Sequence, residues 1–197
     1  IKKIKISSGE ITNGPLIWQA AKSKSHMIVS TGMATKNEIK TCLSTIYHAL
    51  NHNKEPKTLN EIKAFSNKLI NFQDLKKTVS LLHCTSQYPT PFEEINLKAI
   101  KSLKKEFGLN VGLSDHSTGI LISPSSIVLG AKIIEKHLTL DKKMIGPDHS
   151  SSIEPEEFSL MVKNINIIKK ALGRKKLRKL KIEEEVAKKT RQKIIAI

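Results

Sequence analysis

Two histidines close two short apolar runs about twenty residues apart: "VGLSDH" ends at His116 and "AKIIEKH" ends at His137. Each stands beside acidic or cationic residues where a buried strand would run out. Imidazole nitrogens converging there suit Mn2+, Zn2+ or Fe2+, and two of them leave positions for water and a substrate oxygen. Acidic neighbours would orient the rings or complete the shell. The plainer alternative is a pair of half-buried histidines satisfied by backbone. A second set of residues is rich in hydroxyls: Ser7, Ser8, Ser30, Thr31, Ser86 and Ser114. With Gly9 and Gly32 allowing close backbone approach, they would form a phosphate cradle, or they simply terminate strands. Lys5, just upstream, offers a point charge. His26, His48, His52 and His149 carry no pattern, and His83, inside an apolar run, reads as a satisfied core residue.

These side chains need a scaffold. Runs rich in Val, Ile and Leu with little alternation occur at 1–7 ("IKKIKIS"), 26–31 ("HMIVST"), 78–84 ("TVSLLHC"), 110–114 ("NVGLS") and 132–138 ("KIIEKHL"). That is the pattern of strands buried on both faces. Helical patterns lie between them. "TKNE" at Thr35 predicts a capping box with Glu38, followed by a stripe of Ile39, Cys42, Leu43, Ile46 and Leu50. A second helix is expected over 92–107, stopping at Gly108. A third follows Pro155, with a stripe of Phe158, Met161, Val162, Ile165, Ile168 and Leu172, and ends at Gly173. The stretch 51–77 is too long for a simple connection and predicts an additional helix near 59–71. Alternating strands and helices imply a parallel α/β sheet, either doubly wound or part of a (β/α)8 barrel. No GxGxxG follows the first strand, and polar clusters follow several strand ends, which favours the TIM barrel.

Composition narrows the classes. The chain has 197 residues, 39% hydrophobic and 26% charged, enough for one domain with a core. No apolar run approaches the roughly 18 residues of a membrane helix, and no signal-peptide pattern opens the chain. Cys42 and Cys84 have neither metal-finger nor disulfide-framework spacing, so a reducing cytoplasm and two small buried apolar residues are expected. The net charge of +16 comes almost entirely from scattered lysines. The one dense basic run, 169–193, lacks interleaved aromatics and reads as a solvated linker or helix face rather than a nucleic-acid site. A basic binding module built on that run is the non-enzymatic alternative.

Six motifs in order, "KISSGE", "VSTGM", "LLHCTSQYPTP", "VGLSDHSTGI", "IEKHLTLD" and "GPDHSSSIEPEEF", resemble the N-acetylneuraminate (sialic acid) synthase family, which includes legionaminate, pseudaminate and spore-coat polysaccharide synthases. The resemblance runs from Lys3 to about Gly173. It implies a (β/α)8 barrel followed by an antifreeze-like domain. The reaction it implies condenses phosphoenolpyruvate with an open-chain N-acetylated amino sugar, giving a nine-carbon 2-keto acid and phosphate. It also implies Mn2+ or Mg2+ on His116 and His137, and phosphoenolpyruvate bound by Lys5, Ser8, Ser30, Ser86 and Ser114. Tyr88 and Asp148 match positions near the sugar, and Glu10 an acidic position near the reacting aldehyde. In such a site the metal polarises the aldehyde, C3 of phosphoenolpyruvate attacks it, and fixed charges such as Lys5 and Glu10 stabilise the charge that develops. Water then adds at C2 and phosphate leaves.

The resemblance covers strands four to eight of such a barrel. Residues 1–173 thus read as its C-terminal part, and 174–197 as a basic linker and the start ("RQKIIAI") of the antifreeze-like domain. The first residue is Ile1 rather than methionine, as in a cropped chain. The further expectations are an inactive fragment, and a cytoplasmic homodimer when full length. "SSGE" and "GPDH" resemble the neuraminate and legionaminate branches more than the pseudaminate one, and N-acetylmannosamine is the expected sugar, with the legionaminate precursor second.

Overall fold

The computed structural model describes residues 2–66, 71–174, 177 and 179–192. Five strands, β1 (Lys3–Ile6), β2 (His26–Ser30), β3 (Val79–Cys84), β4 (Asn110–Asp115) and β5 (Ile134–Lys136), pair in parallel in the order β1-β2-β3-β4-β5. Parallel neighbours require crossovers. These are supplied by α1 (Gly14–Lys22), α2 (Lys36–Asn51), α3 (Leu59–Ser66), α4 (Ala99–Phe107) and α5 (Ile122–Val128); α6 (Pro155–Ala171) and α7 (Lys181–Thr190) follow.

The sheet is curled. Strands spaced about 4.8 Å apart would set β1 and β5 roughly 19 Å apart if flat. Yet Lys5 on β1 and Glu135 on β5 form an ion pair at 2.8 Å. Only a sheet rolled about its strand direction brings its first and last strands within reach, so the five strands make half of a barrel.

Local chemistry explains the element ends. Thr35 Oγ1 accepts from Glu38 N, and Glu38 Oε2 accepts from Thr35 N at 2.7 Å, the reciprocal box expected from "TKNE". Ile39, Cys42, Leu43 and Ile46 of α2 are buried as predicted. Gly108 stops α4 in the left-handed conformation, φ 68°. Trp18 on α1 is 2% exposed, with Lys22 Nζ 5.4 Å from its ring centre. The core joins α1, α2 and α4 to β2, β3 and β4 through residues such as Leu43, Leu81 and Ile100. Each such side chain contributes about 1.5–3 kcal/mol by leaving water.

Three expectations are corrected in detail. The helix over 92–107 is broken: a 3₁₀ turn spans Phe92–Glu94 and α4 starts at Ala99, because Asn96 turns the backbone to φ 47°. The strand over 132–138 keeps three paired residues, and Leu138 instead makes an isolated parallel bridge with Ile153. The stripe on α6 is only partly covered: Met161 is buried, whereas Phe158, Val162 and Leu172 are exposed. Helices α1, α5 and α7 carry patterns too short or too mixed to read individually. Residues 67–70 of the stretch 59–71, and 193–197 of "RQKIIAI", lie outside the described residues. Among the described residues no helix is long and apolar enough to cross a membrane.

Candidate active site

The C-terminal ends of all five strands open into one cleft of about 460 Å³. Period-two alternation decides which residues reach it. Ser114 on β4 stands in register with Glu135 on β5, and both face the cleft; His116 and His137 follow two residues later and line the same wall. The ring centres of His116 and His137 are 5.3 Å apart, at 75° to each other. Tyr88, from the loop after β3, lies 4.1 Å from the His116 ring centre and 5.5 Å from that of His137.

The intervening residues turn the other way. Asp115 and Lys136 form a buried ion pair at 3.3 Å, each side chain 1% exposed, packed toward α5. Of the acidic neighbours of the two histidines, Asp115 therefore lies outside the cleft, because strand alternation points it at the helix layer. Glu135 occupies the cleft position instead. Its carboxylate accepts from Lys5 Nζ (2.8 Å) and from Ser114 Oγ (2.7 Å). Burial alone would raise its pKa, but the bonds from Lys5 and Ser114 outweigh that and hold it below the ordinary 4.5. Glu135 is missing from the sequence-derived site. The signal was present in its position two residues before His137 on the same strand.

His116 is fixed by its neighbours. Its Nδ1 lies 2.7 Å from the Thr85 carbonyl oxygen, which can only accept, so Nδ1 carries the proton and Nε2 keeps a lone pair. Ser114 Oγ is 3.2 Å from that Nε2, but its single proton already points to Glu135. Burial is the main force lowering the His116 pKa from 6.5; the Thr85 bond opposes it and His137 reinforces it. A neutral imidazole with a free lone pair beside a second imidazole fits a divalent ion as ligand. His137 Nδ1 lies 3.7 Å from Asp148 Oδ2, an ion-pair distance when the ring is protonated. Among the described residues no group of three or more His, Cys, Asp and Glu side chains surrounds one point. Two imidazoles would thus be the protein's share, with water and substrate completing the shell.

The opposite wall is the hydroxyl-rich one. Ser30, 2% exposed at the end of β2, has an Oγ without a hydrogen-bond partner. A buried hydroxyl left unpaired costs free energy that a polar ligand would recover. Ser8 Oγ lies 3.1 Å from Cys84 Sγ. Gly32 leaves this corner open: a Cβ there would fall 2.5 Å from Ser86 Oγ and 2.6 Å from Cys84 Sγ. Cys84 is buried as expected, yet it faces the cleft rather than the core.

Of the sequence-derived residues, Lys5, Ser8, Ser30, Ser86, Ser114, Tyr88, His116 and His137 meet in this cleft. Asp148 reaches its rim through His137. Glu10 sits in the 3₁₀ turn Ser8–Glu10, where its carboxylate accepts from Asn13 Nδ2 at 2.7 Å, and it is not among the lining residues. His83 is satisfied by the Ile95 carbonyl at 2.7 Å, as a core histidine should be.

A sequence model of the NeuB family matches residues 1–177. The N,N'-diacetyllegionaminic acid synthase of Campylobacter jejuni is 44% identical over 173 residues, which is 88% of this chain and 45% of that protein. A pseudaminic acid synthase of Campylobacter jejuni is 38% identical, over 88% of this chain and 43% of its own length. The solved N-acetylneuraminic acid synthetase of Leptospira borgpetersenii aligns with a TM-score of 0.74 at 33% identity, covering 96% of this chain and 57% of that one. The chain spans about half the length of the curated relatives it matches. Half-barrel, strand-end cleft and sequence match agree, and the chain belongs to the NeuB family.

Proposed function

We propose that this cleft is part of a synthase site that condenses phosphoenolpyruvate with an open-chain N-acetylated amino sugar, forming a 2-keto sugar acid and phosphate. The observation that carries the reading is the meeting of His116 and His137, 5.3 Å apart, on a wall shared with Glu135 and Ser114 and faced across the cleft mouth by Lys5. The unpaired Ser30 hydroxyl and the Ser8–Gly32–Ser86 corner give an anionic oxygen polar partners at the far side. Lys5 supplies the cation that a phosphate or carboxylate requires.

Each residue then has a definite task. Lys5, with Ser8, Ser30 and Ser86, holds phosphoenolpyruvate so that its C3 faces the aldehyde carbon; fixing two reactants in register removes much of the entropic cost of their encounter. A divalent ion on His116 and His137, Mn2+ or Mg2+, would supply Lewis acidity toward the aldehyde oxygen. The C3–carbon bond forms as the enol π pair moves, and the positive charge left at C2 lies near the Glu135 carboxylate. Water adds to C2, and one of its protons passes by way of a base such as Glu135 to the alkoxide left by the aldehyde. The bond from C2 to the phosphate oxygen then breaks as the new C2 hydroxyl becomes the keto group, and its proton leaves with phosphate. Tyr88 and Asp148 bound the sugar end, and Glu10 would act from the turn above β1.

The motifs favour the neuraminate and legionaminate branches, and N-acetylmannosamine is the first sugar to test. A second reading, the legionaminate precursor, rests on the 44% identity to a diacetyllegionaminic acid synthase. A cytoplasmic homodimer completes the proposal. The test is phosphate release from phosphoenolpyruvate with each sugar and Mn2+, using the longest natural polypeptide that contains this chain. Release with neither sugar, despite bound Mn2+, would remove the reading.

A further inference from the structure

We infer that Asp115 and Lys136 are positioning residues that set the spacing of the two cleft imidazoles from behind the sheet. Their Cα atoms are partners in the last rung of the β4–β5 ladder, and His116 and His137 lie one residue beyond it, with His116 O accepting from Thr90 N (2.9 Å) and His137 O from Ile153 N (3.0 Å). Those bonds, with that of His116 Nδ1 to Thr85 O, tie each histidine to a different segment, and none of them joins one histidine strand end to the other. Asp115 accepts from Ser117 N (2.9 Å), Ser117 Oγ (2.6 Å) and Ser123 Oγ (2.6 Å), while Lys136 Nζ bonds Asp115 and the Ser117 carbonyl oxygen. These bonds grip the chain on both sides of His116, and through Lys136 they tie it to the residue before His137. Their donors and acceptors come from β4, the loop after it, β5 and α5, so the helix layer is locked to the strand ends by the same group.

A buried ion pair adds little net stability over apolar residues of similar size, and its best-attested use is to fix one arrangement among several. Here the arrangement fixed is that of two rings converging on one spot. A metal on those rings rests on the function proposed above; the spacing of the rings does not. The experiment therefore has two readouts.

The double variant D115N/K136M removes both charges but keeps the volume and one acceptor for the serines. In the isotopically labelled chain, the nuclear Overhauser effect between the ring protons of His116 and His137 should weaken or vanish, while far-ultraviolet circular dichroism stays as in the parent. Titration with Mn2+ alone, followed by electron paramagnetic resonance, should show at least a tenfold loss of affinity, the scale of outer-shell substitutions. A folded double variant with the ring–ring effect and Mn2+ affinity unchanged would overturn the inference. If the double variant does not fold, Ser123→Ala, which removes one donor to Asp115, should still weaken the ring–ring effect, and an unchanged effect there also overturns it. A parent chain that shows the effect but binds no Mn2+ counts against the metal reading alone, and the ring–ring result then decides.

Discussion

Lys5 of β1 and Glu135 of β5 meet at 2.8 Å across the cleft, although three strands separate them in the hydrogen-bonded order. The contact closes the rolled sheet at its mouth and joins the anion-binding wall to the histidine wall. Both side chains remain about one-third exposed, so solvent screening limits what the pair adds to stability. Its position matters more than its strength.

Glu135 should govern part of the acid limb of stability. Its folded carboxyl binds a proton less readily than its unfolded counterpart, whose ordinary value is 4.5. The unfolded chain therefore takes up more protons as pH falls through that region, and stability declines. Urea midpoints measured between about pH 6 and pH 3.5 should fall less steeply in Glu135→Gln than in the parent.

His116 acts in a higher window, again lost with acid. Its folded ring stays neutral below the ordinary 6.5, mainly because it is buried. Between about pH 7 and pH 5 the unfolded chain gains a proton that the folded one refuses, so acidification destabilises. His116→Gln should flatten the pH dependence of the urea midpoint in that interval.

Two glycines should fail differently. A Cβ at Gly112 would lie 2.3 Å from the Ile133 carbonyl oxygen, a backbone atom that cannot step aside. Gly112→Ala should cost several kcal/mol, at or above the ~1–3 kcal/mol of ordinary overpacking, and be read as a large fall in Tm. At Gly32 the colliding atoms are the side chains of Ser86, Cys84 and Ser8. Gly32→Ala should keep most of the stability but lose phosphoenolpyruvate binding, measured by titration calorimetry.

Met33 lines the cleft with a left-handed backbone, φ 61°, and is 73% exposed. That conformation costs a non-glycine residue about 1–2 kcal/mol, partly offset in a glycine variant by greater chain entropy. Met33→Gly should therefore raise stability by up to about 1 kcal/mol in chemical denaturation.

Much of this was legible in the sequence because strand burial and helix caps are local signals. The apolar runs 26–31, 78–84 and 110–114 locate three strands, and "TKNE" locates the start of α2. His116 and His137 stand out because titratable residues at the ends of apolar runs are unusual. Other features depend on geometry that composition does not carry. Glu135 hides inside an apolar run, and only the period-two direction of β5 shows it beside His137. Cys84 resembles any small buried residue until Gly32 brings the backbone of the next strand end against it. Asp115 has the chemistry of a ligand but the wrong parity. The stripe on α6 reads as core-facing, yet burial needs an opposing surface: Met161 is buried, Ile165 and Ile168 are half-buried, and Phe158 and Val162 stay exposed.

Trp18 is the chain's one indole, sealed in the helix layer and lining no part of the cleft, whereas Tyr88 stands at the cleft beside both imidazoles. The molecule thus carries one indole and two phenols, Tyr88 at the cleft and Tyr47 packed on α2 against the core. Emission near the indole band follows unfolding of the outer layer, and in a Tyr47→Phe background the phenol difference absorbance follows occupancy of the cleft, so binding and melting can be recorded on one unlabelled sample.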